Sequence, residues 1–285
     1  MRPASIIGLI VVFALVFLAT APRLFSQSVI PDLKSPNNRF DYVVISPPAY
    51  VAAVQPLALR RLVHNGFAVG FAVTDSIYSS FGKGTTADTA IKRLITFAIA
   101  SWKAPAPKYF LLTGNVNTVP SHREEGFTFA GEDSIMVDQW FVEAGADSGL
   151  PGRFVASLGR LPAWNLAGLN VMVSKIAAYE DSPEQSWMRR SISVADSTDA
   201  PVFEDVANAL QNALSTAWPD TVSVHVKSSS PHYLSRVQFR SLWDHGAAIV
   251  SLIGSANWYQ FSHGAYFTTW DVDSLAPGSP LPFCL

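Results

Sequence analysis

Residues 247–258 read AAIVSLIGSANW. The first seven are apolar but for Ser251, and Gly254 and Ser255 then break the run. A run of that length, entered from His245 and Gly246, predicts a strand buried on both faces, as in a parallel sheet covered by helices. In open α/β sheets, ligands sit beyond the carboxyl ends of the strands. Gly254 and Ser255 stand at such an end. His245 precedes the strand and belongs to the opposite edge.

The pattern extends upstream. A strand over 191–195, a helix over 203–217, a strand over 221–226 and a helix over 234–244 make this half of the chain a βα series. Before it lies a polar segment, DSPEQS, and before that a first series. FDYVVIS (40–46) and FAVGFAV flank VAAVQPLALRRLVHNG, whose helical spacing stops at Gly66, a fitting C′ residue. TADTAIKRLITFAIASW (86–102) is an amphipathic helix and KYFLLTG (108–114) a third buried strand. Residues 115–152 lose the periodicity and read as an irregular excursion with one hairpin. Order returns with FVASLGRLPA and the helix WNLAGLNVMVSKIAAYE. The expected organisation is α/β, in two units at 40–185 and 186–285, with a spacer at 28–39 and no internal repeat. Residues just after strands are Ser46, Gly114 with Asn115, Asp196, and Gly254 with Ser255.

Composition bounds the function. A chain of 285 residues, 49% apolar, can bury a sizeable core. With 20 basic and 22 acidic residues and no Lys/Arg run, it has no basic surplus for a phosphate backbone, so nucleic acid is not an expected partner. The N-terminus carries Arg2, an apolar run from Ile6 to Leu18 and small residues at 19–21, which predicts a secretory signal over 1–27. The run is short for a span of ~20 residues, so membrane contact is expected only through an uncleaved signal. Export usually brings disulfides, yet Cys284 is the single cysteine, either an inert core residue or a reactive thiol.

Three segments, PKYFLLTGNVNTVPSH, SLGRLPAWNLAGLNVMVSKIAAYE and GAAIVSLIG with FTTWDVDSL and LPF after it, together resemble the gingipain-type cysteine peptidases, peptidase family C25 of the caspase-like clan. The resemblance runs with gaps from about Phe40 to the last residue. It implies two caspase-like/gingipain-type subdomains, each a mostly parallel sheet flanked by helices, and a Cys-His dyad at the ends of adjacent strands in the second. In such a dyad the imidazole activates a thiol, the thiolate attacks the peptide carbonyl, and backbone N–H groups hold the oxyanion. No cofactor is required. The substrate implied is a protein or peptide.

The family's histidine falls in a Gly-His-Gly after the strand that matches AIVSLI, and here those positions read Gly254-Ser255-Ala256. Gly254 and Ala256 thus flank the substrate, but serine is no base near neutral pH. The fallback base is His263, in FSHG, with a surface-loop histidine as the alternative. A serine nucleophile at Ser255 lacks an acid placed by any motif to orient that histidine. The family's cysteine lies about eight residues past a Leu-Pro pair; Leu281-Pro282 places it near position 289, whereas Cys284 sits inside the strand, facing core or helix. LPFCL reads as a strand interrupted, and the expectation is an N-terminal piece of a longer protein. Asn115 replaces the family's frequent aspartate. Glu132, Asp133 and Asp138 admit calcium or a solvated acidic loop. FGKGTTADTA lacks the phosphate-loop pattern and the strand before it.

The functional expectation is an exported, secreted or cell-surface bacterial protein of the C25 endopeptidase family, inactive in this chain because its dyad is incomplete. A catalytically inactive pseudopeptidase serving as a binding or scaffold module is one alternative. A surface maturation peptidase of a bacterial protein-export system is another.

Overall fold

The computed structural model describes residues 28–129, 132–144, 152–257, 259–275 and 282–284. The leader expected at 1–27 lies outside them, as does Leu281. The chain divides into two compact units between Glu180 and Asp181.

In the first unit, β1 (Ser28–Val29), β2 (Tyr42–Ser46), α1 (Val51–Asn65), β3 (Val69–Val73), α2 (Thr74–Phe81), α3 (Ala87–Ser101) and β4 (Tyr109–Thr113) lead to a hairpin of β5 (His122–Phe129) and β6 (Glu132–Val137). Then come β7 (Ser157–Leu161) and α4 (Leu166–Asp181). Five strands form a parallel sheet in the order β1-β3-β2-β4-β7. Alternation along β2 decides what each face meets. Val43 and Ile45 pack with Ile77 of α2 and Ile91 and Leu94 of α3, whereas Val44 packs with Val54 and Leu57 of α1 and Leu169 and Val173 of α4. Both faces are therefore covered, which is why the strands read as continuous apolar runs. Helix α1 stops at Gly66, whose φ of 68° is left-handed and whose N–H returns to the carbonyls of Arg61 and Leu62.

The second unit runs β8 (Arg190–Ala195), α5 (Val202–Leu214), β9 (Asp220–His225), α6 (Arg236–Asp244), β10 (Ile249–Ile253), β11 (Gln260–Phe261), β12 (Phe267–Thr268), α7 (Thr269–Asp273) and β13 (Phe283–Cys284). Its parallel sheet has the order β13-β10-β8-β9. Ile192, Val194, Val224 and Val250 point to one face, against Phe239 and Trp243 of α6 and Phe261, Tyr266 and Phe267 of the β11–β12 hairpin. The alternate positions of β8 and β10 are the buried Ser191, Ser193 and Ser251. On that side Ser223 of β9 donates its hydroxyl to Gln211 of α5 at 2.5 Å. Helix α6 starts on a capping box between Ser235 and Gln238. His245 caps its other end, with Nδ1 2.6 Å from the Ser241 carbonyl. Among the described residues, no helix is long and apolar enough to cross a membrane.

Candidate active site at the carboxyl edge of the second sheet

Strand β10 ends at Ile253, opposite Ala195 of β8, so Gly254 and Asp196 leave the sheet side by side. The Asp196 N–H donates to the Ile253 carbonyl at 2.9 Å. The approach is too close for any side chain at 254, because a Cβ there would lie 2.6 Å from the Asp196 Cβ and 3.0 Å from the Phe261 ring. Gly254 therefore serves sheet packing, whatever else it does. Asp196 is fully buried, and its carboxylate accepts the Thr198 N–H at 3.2 Å and the Thr198 hydroxyl.

Beyond Gly254 the chain makes a small hairpin that returns to its start. Ala256 bridges to Phe261 and the Ser262 N–H donates to the Ser255 carbonyl at 2.8 Å. The separation of eight positions from Ser255 to His263 is thus closed by the hairpin, and both lie at the same edge. Phe261, Tyr266 and Phe267 are buried beneath this segment. At about 1.5–3 kcal/mol each for an apolar side chain, they hold it firmly. Ser262 and Ala265 have φ of 70° and 51°, left-handed values that cost a non-glycine residue roughly 1–3 kcal/mol each. His263 lies between them, its side chain 77% exposed.

Asp199, four residues past β8, meets both. His263 Nδ1 lies 2.8 Å from Asp199 Oδ2. Hydrogen bonding from Ser255 and His263 holds Asp199 below the usual carboxylate range. Sequence reasoning missed Asp199. The strand-end rule stopped at Asp196, three residues short, and the acid that no motif supplied for His263 is supplied by the fold. The connectivity is Ser–Asp–His, with the carboxylate in the middle. It is not the Ser–His–Asp order of a serine nucleophile, since the hydroxyl spends its proton on the carboxylate.

Cys284 is elsewhere. It pairs with Val250, so it lies five residues short of the level of Ser255, about 16 Å at roughly 3.3 Å per residue. The sequence reading turned it toward core or helix. It is instead exposed, because β13 is the edge strand of its sheet. Apolar neighbours still desolvate the sulfur and push the thiol pKa up, the reverse of what a nucleophile needs. Ala256 and Cys284 sit on the rim of an apolar depression of about 380 Å³ that Leu252, Tyr259, Phe261 and Val272 help to line.

The carboxyl edge of the first sheet is occupied by structural contacts. Asn115 Oδ1 accepts the N–H groups of Asn117 and Thr118 at 3.1 and 3.2 Å and the Thr118 hydroxyl at 3.0 Å. Arg160 donates to the carbonyls of Gly114 and Val119 at 2.9 and 2.7 Å and pairs with Asp138 at 2.6 Å. The Ser46 hydroxyl bonds the Pro47 carbonyl at 3.0 Å. Asp138, bound also by the Ser121 hydroxyl at 2.6 Å, is a poor partner for a calcium ion. Among the described residues no three His, Cys, Asp or Glu side chains gather in a metal-binding group.

This two-sheet architecture defines an α/β protein, and the sequence matches peptidase family C25 over residues 35–285. The chain belongs to that family. Its fold is similar to the Arg-specific cysteine proteinase gingipain R, with a TM-score of 0.67 at 16% identity over 91% of this chain and 55% of that one. The complex of the pro- and mature domains of RgpB from Porphyromonas gingivalis gives 0.66 at 17% identity, over 85% of this chain and 54% of that one. A further structure, described as a protease, gives 0.63 at 16% identity, over 89% and 52%. The chain thus spans about half the length of the solved structures it matches. No curated protein matches it.

Proposed function

We propose that these residues form the two-unit α/β core of an exported endopeptidase of the C25 type, acting on peptides or proteins through a cysteine nucleophile. We propose further that the 285-residue chain alone does not hydrolyse peptides. One observation carries this reading, the register of β13 on β10. Cys284 is level with Val250, five residues short of the level of Ser255. Ser255, in the family's histidine position, takes up no proton at neutral pH.

The test is hydrolysis of a fluorogenic peptide library by the 285-residue chain. No turnover is expected, and turnover abolished by thiol alkylation overturns the proposal. The engagement of Ser255 by Asp199 also supports a second reading, a pseudopeptidase whose site has become a scaffold. A full-length protein that binds peptides without cleaving them, and stays inactive when Ser255→Ala is introduced, favours that reading.

A further inference from the structure

Strand β9 is the outer strand of the second sheet, and among the described strands it pairs only with β8. The N–H of His225 points outward, to the His232 carbonyl at 2.9 Å, and that of Val226 points inward, to the Ala195 carbonyl at 3.0 Å. Alternation along the strand therefore turns the N–H and C=O of Thr221 and Ser223 outward as well. None of these four groups has a hydrogen-bond partner among the described residues. Such a row is a template for a further strand. The edge already takes one residue of such a strand, since Tyr233 bridges His225 in parallel.

The side chains beside this edge are polar where packing would make them apolar. Asn208, Gln211 and Asn212 of α5, with Ser215 just past it, follow the i, i+3, i+4, i+7 spacing of one helix face. A helix lying on a sheet normally presents apolar residues there. Here the four line a cavity of about 510 Å³ with Thr221 and Ser223, and no Lys, Arg, Asp or Glu reaches it. Gln211 is only 9% exposed, and its Oε1 accepts the Ser223 hydroxyl at 2.5 Å. Its Nε2, which carries two donors, has no partner among the described residues. A buried donor left unpaired is unfavourable, so this amide requires an acceptor from the cavity. The polarity continues inward from Ser223. Ser193 of β8 and Ser251 of β10 stand in register with it, buried, and their hydroxyls have no partner among the described residues.

We infer that this edge binds an extended peptide, added to β9 as a further strand, whose side chains toward α5 are uncharged amides or hydroxyls. The outward groups of Thr221 and Ser223 repeat every second residue, about 6.6 Å along the strand, a period that another extended chain matches and a sugar does not. An acidic or basic side chain would be desolvated against amides and hydroxyls with no opposite charge to meet it. On the other face the added strand lies beside Val222, which packs on the core under α6, so its alternate side chains are apolar. The site runs along the side of the sheet, away from its carboxyl edge, and it stands whether or not the chain hydrolyses peptides.

The experiment uses the 285-residue chain and the probe acetyl-Val-Gln-Val-Thr-Val-Asn-amide, read by ¹H–¹⁵N spectra and amide hydrogen exchange. At saturating peptide the Thr221 and Ser223 amides are expected to shift and to exchange at least roughly fivefold more slowly, the worth of about one net hydrogen bond. Replacing Gln, Thr and Asn of the probe by Lys is expected to abolish the effect. Of the two probes N-methylated on alternate amides, one is expected to bind and the other not, because only one set of N–H groups faces β9. Thr221→Pro removes an outward N–H and spares the ladder to β8, a place where a strand tolerates proline, and is expected to weaken binding roughly fivefold with an unchanged melting temperature. Should that variant unfold, the N-methylated pair carries the same test. Thr221 and Ser223 amides that stay unperturbed at millimolar probe overturn the inference, as does equal binding of both N-methylated probes. A neutral oligosaccharide that perturbs these amides where the peptide does not overturns it in favour of a glycan site. Protection that rises with protein concentration in the absence of peptide overturns it in favour of a second copy of this chain.

Discussion

Gly254→Ala tests the construction of the strand end directly. The added Cβ would lie 2.6 Å from the Asp196 Cβ and 3.0 and 3.2 Å from two atoms of the Phe261 ring. Carbon pairs rest at about 3.5–4.0 Å, so a gap of roughly 1 Å must open on the Asp196 side. Neither neighbour yields easily. Asp196 is fully buried and tied through its N–H to Ile253, and Phe261 is packed among Phe239, Tyr266 and Phe267. Overpacking of this kind costs about 1–3 kcal/mol. At roughly 2–4 °C per kcal/mol for a chain of this size, the midpoint of thermal unfolding should fall by about 2–12 °C. Gly264→Ala is the control, because its Cβ would meet only the Ser262 hydroxyl at 3.8 Å, an ordinary contact. Scanning calorimetry of both variants beside the parent makes the comparison. A Gly254→Ala midpoint within 1 °C of the Gly264→Ala midpoint would refute the claim that β8 and β10 end in contact without room for a side chain.

Three other measurements follow from the structure. Burial alone would raise the Asp138 pKa, but hydrogen bonds from Arg160 and Ser121 and the Arg160 charge outweigh it and leave the carboxyl below its ordinary value. A depressed carboxyl stabilises fully above its unfolded value of about 3.9 and loses that contribution as pH falls through the folded value. Urea titrations should therefore show Asp138→Asn narrowing the stability gap between pH 6 and pH 3, and an unchanged gap would contradict the pairing. Asp271 is buried, receives Arg236 at 2.6 Å and the Thr268 N–H at 2.8 Å, and caps α7. Asp271→Ala should cost about 2–4 kcal/mol by chemical denaturation, and a loss under 0.5 kcal/mol would remove it as the anchor of that loop. Since the Cys284 thiol is raised, iodoacetamide should label it at pH 7 more slowly than a free peptide thiol and accelerate only above about pH 9; rapid labelling at pH 7 would reopen it as a nucleophile.

The strands were legible because both faces of each sheet are covered. Within FDYVVIS and KYFLLTG, the four residues YVVI (42–45) and YFLL (109–112) are apolar without alternation, a pattern that a helix-covered parallel sheet produces. Helix α2 escaped notice for the opposite reason. It spans eight residues, Thr74–Phe81, buries only Thr74 and Ile77, and offers too few turns for a period to show. The β11 and β12 strands are two residues each and invisible to any window. The excursion at 115–152 did hold a hairpin, although its ordering contact, Arg160 on Asp138, joins residues 22 apart.

The site was legible only where it followed from strand ends. Gly254, Ser255 and Asp196 could be placed because each directly leaves a strand whose direction the βα pattern fixes. Asp199 and His263 stand 64 residues apart, and what joins them is a register, Ile253 beside Ala195, together with a hairpin too short to predict. Local sequence carries no trace of either. A serine in a histidine's position thus reads as loss in one dimension. In three dimensions the hairpin that bonds Ser262 to Ser255 brings His263 to the same edge, where Asp199, four residues past the adjacent strand, meets its imidazole at 2.8 Å.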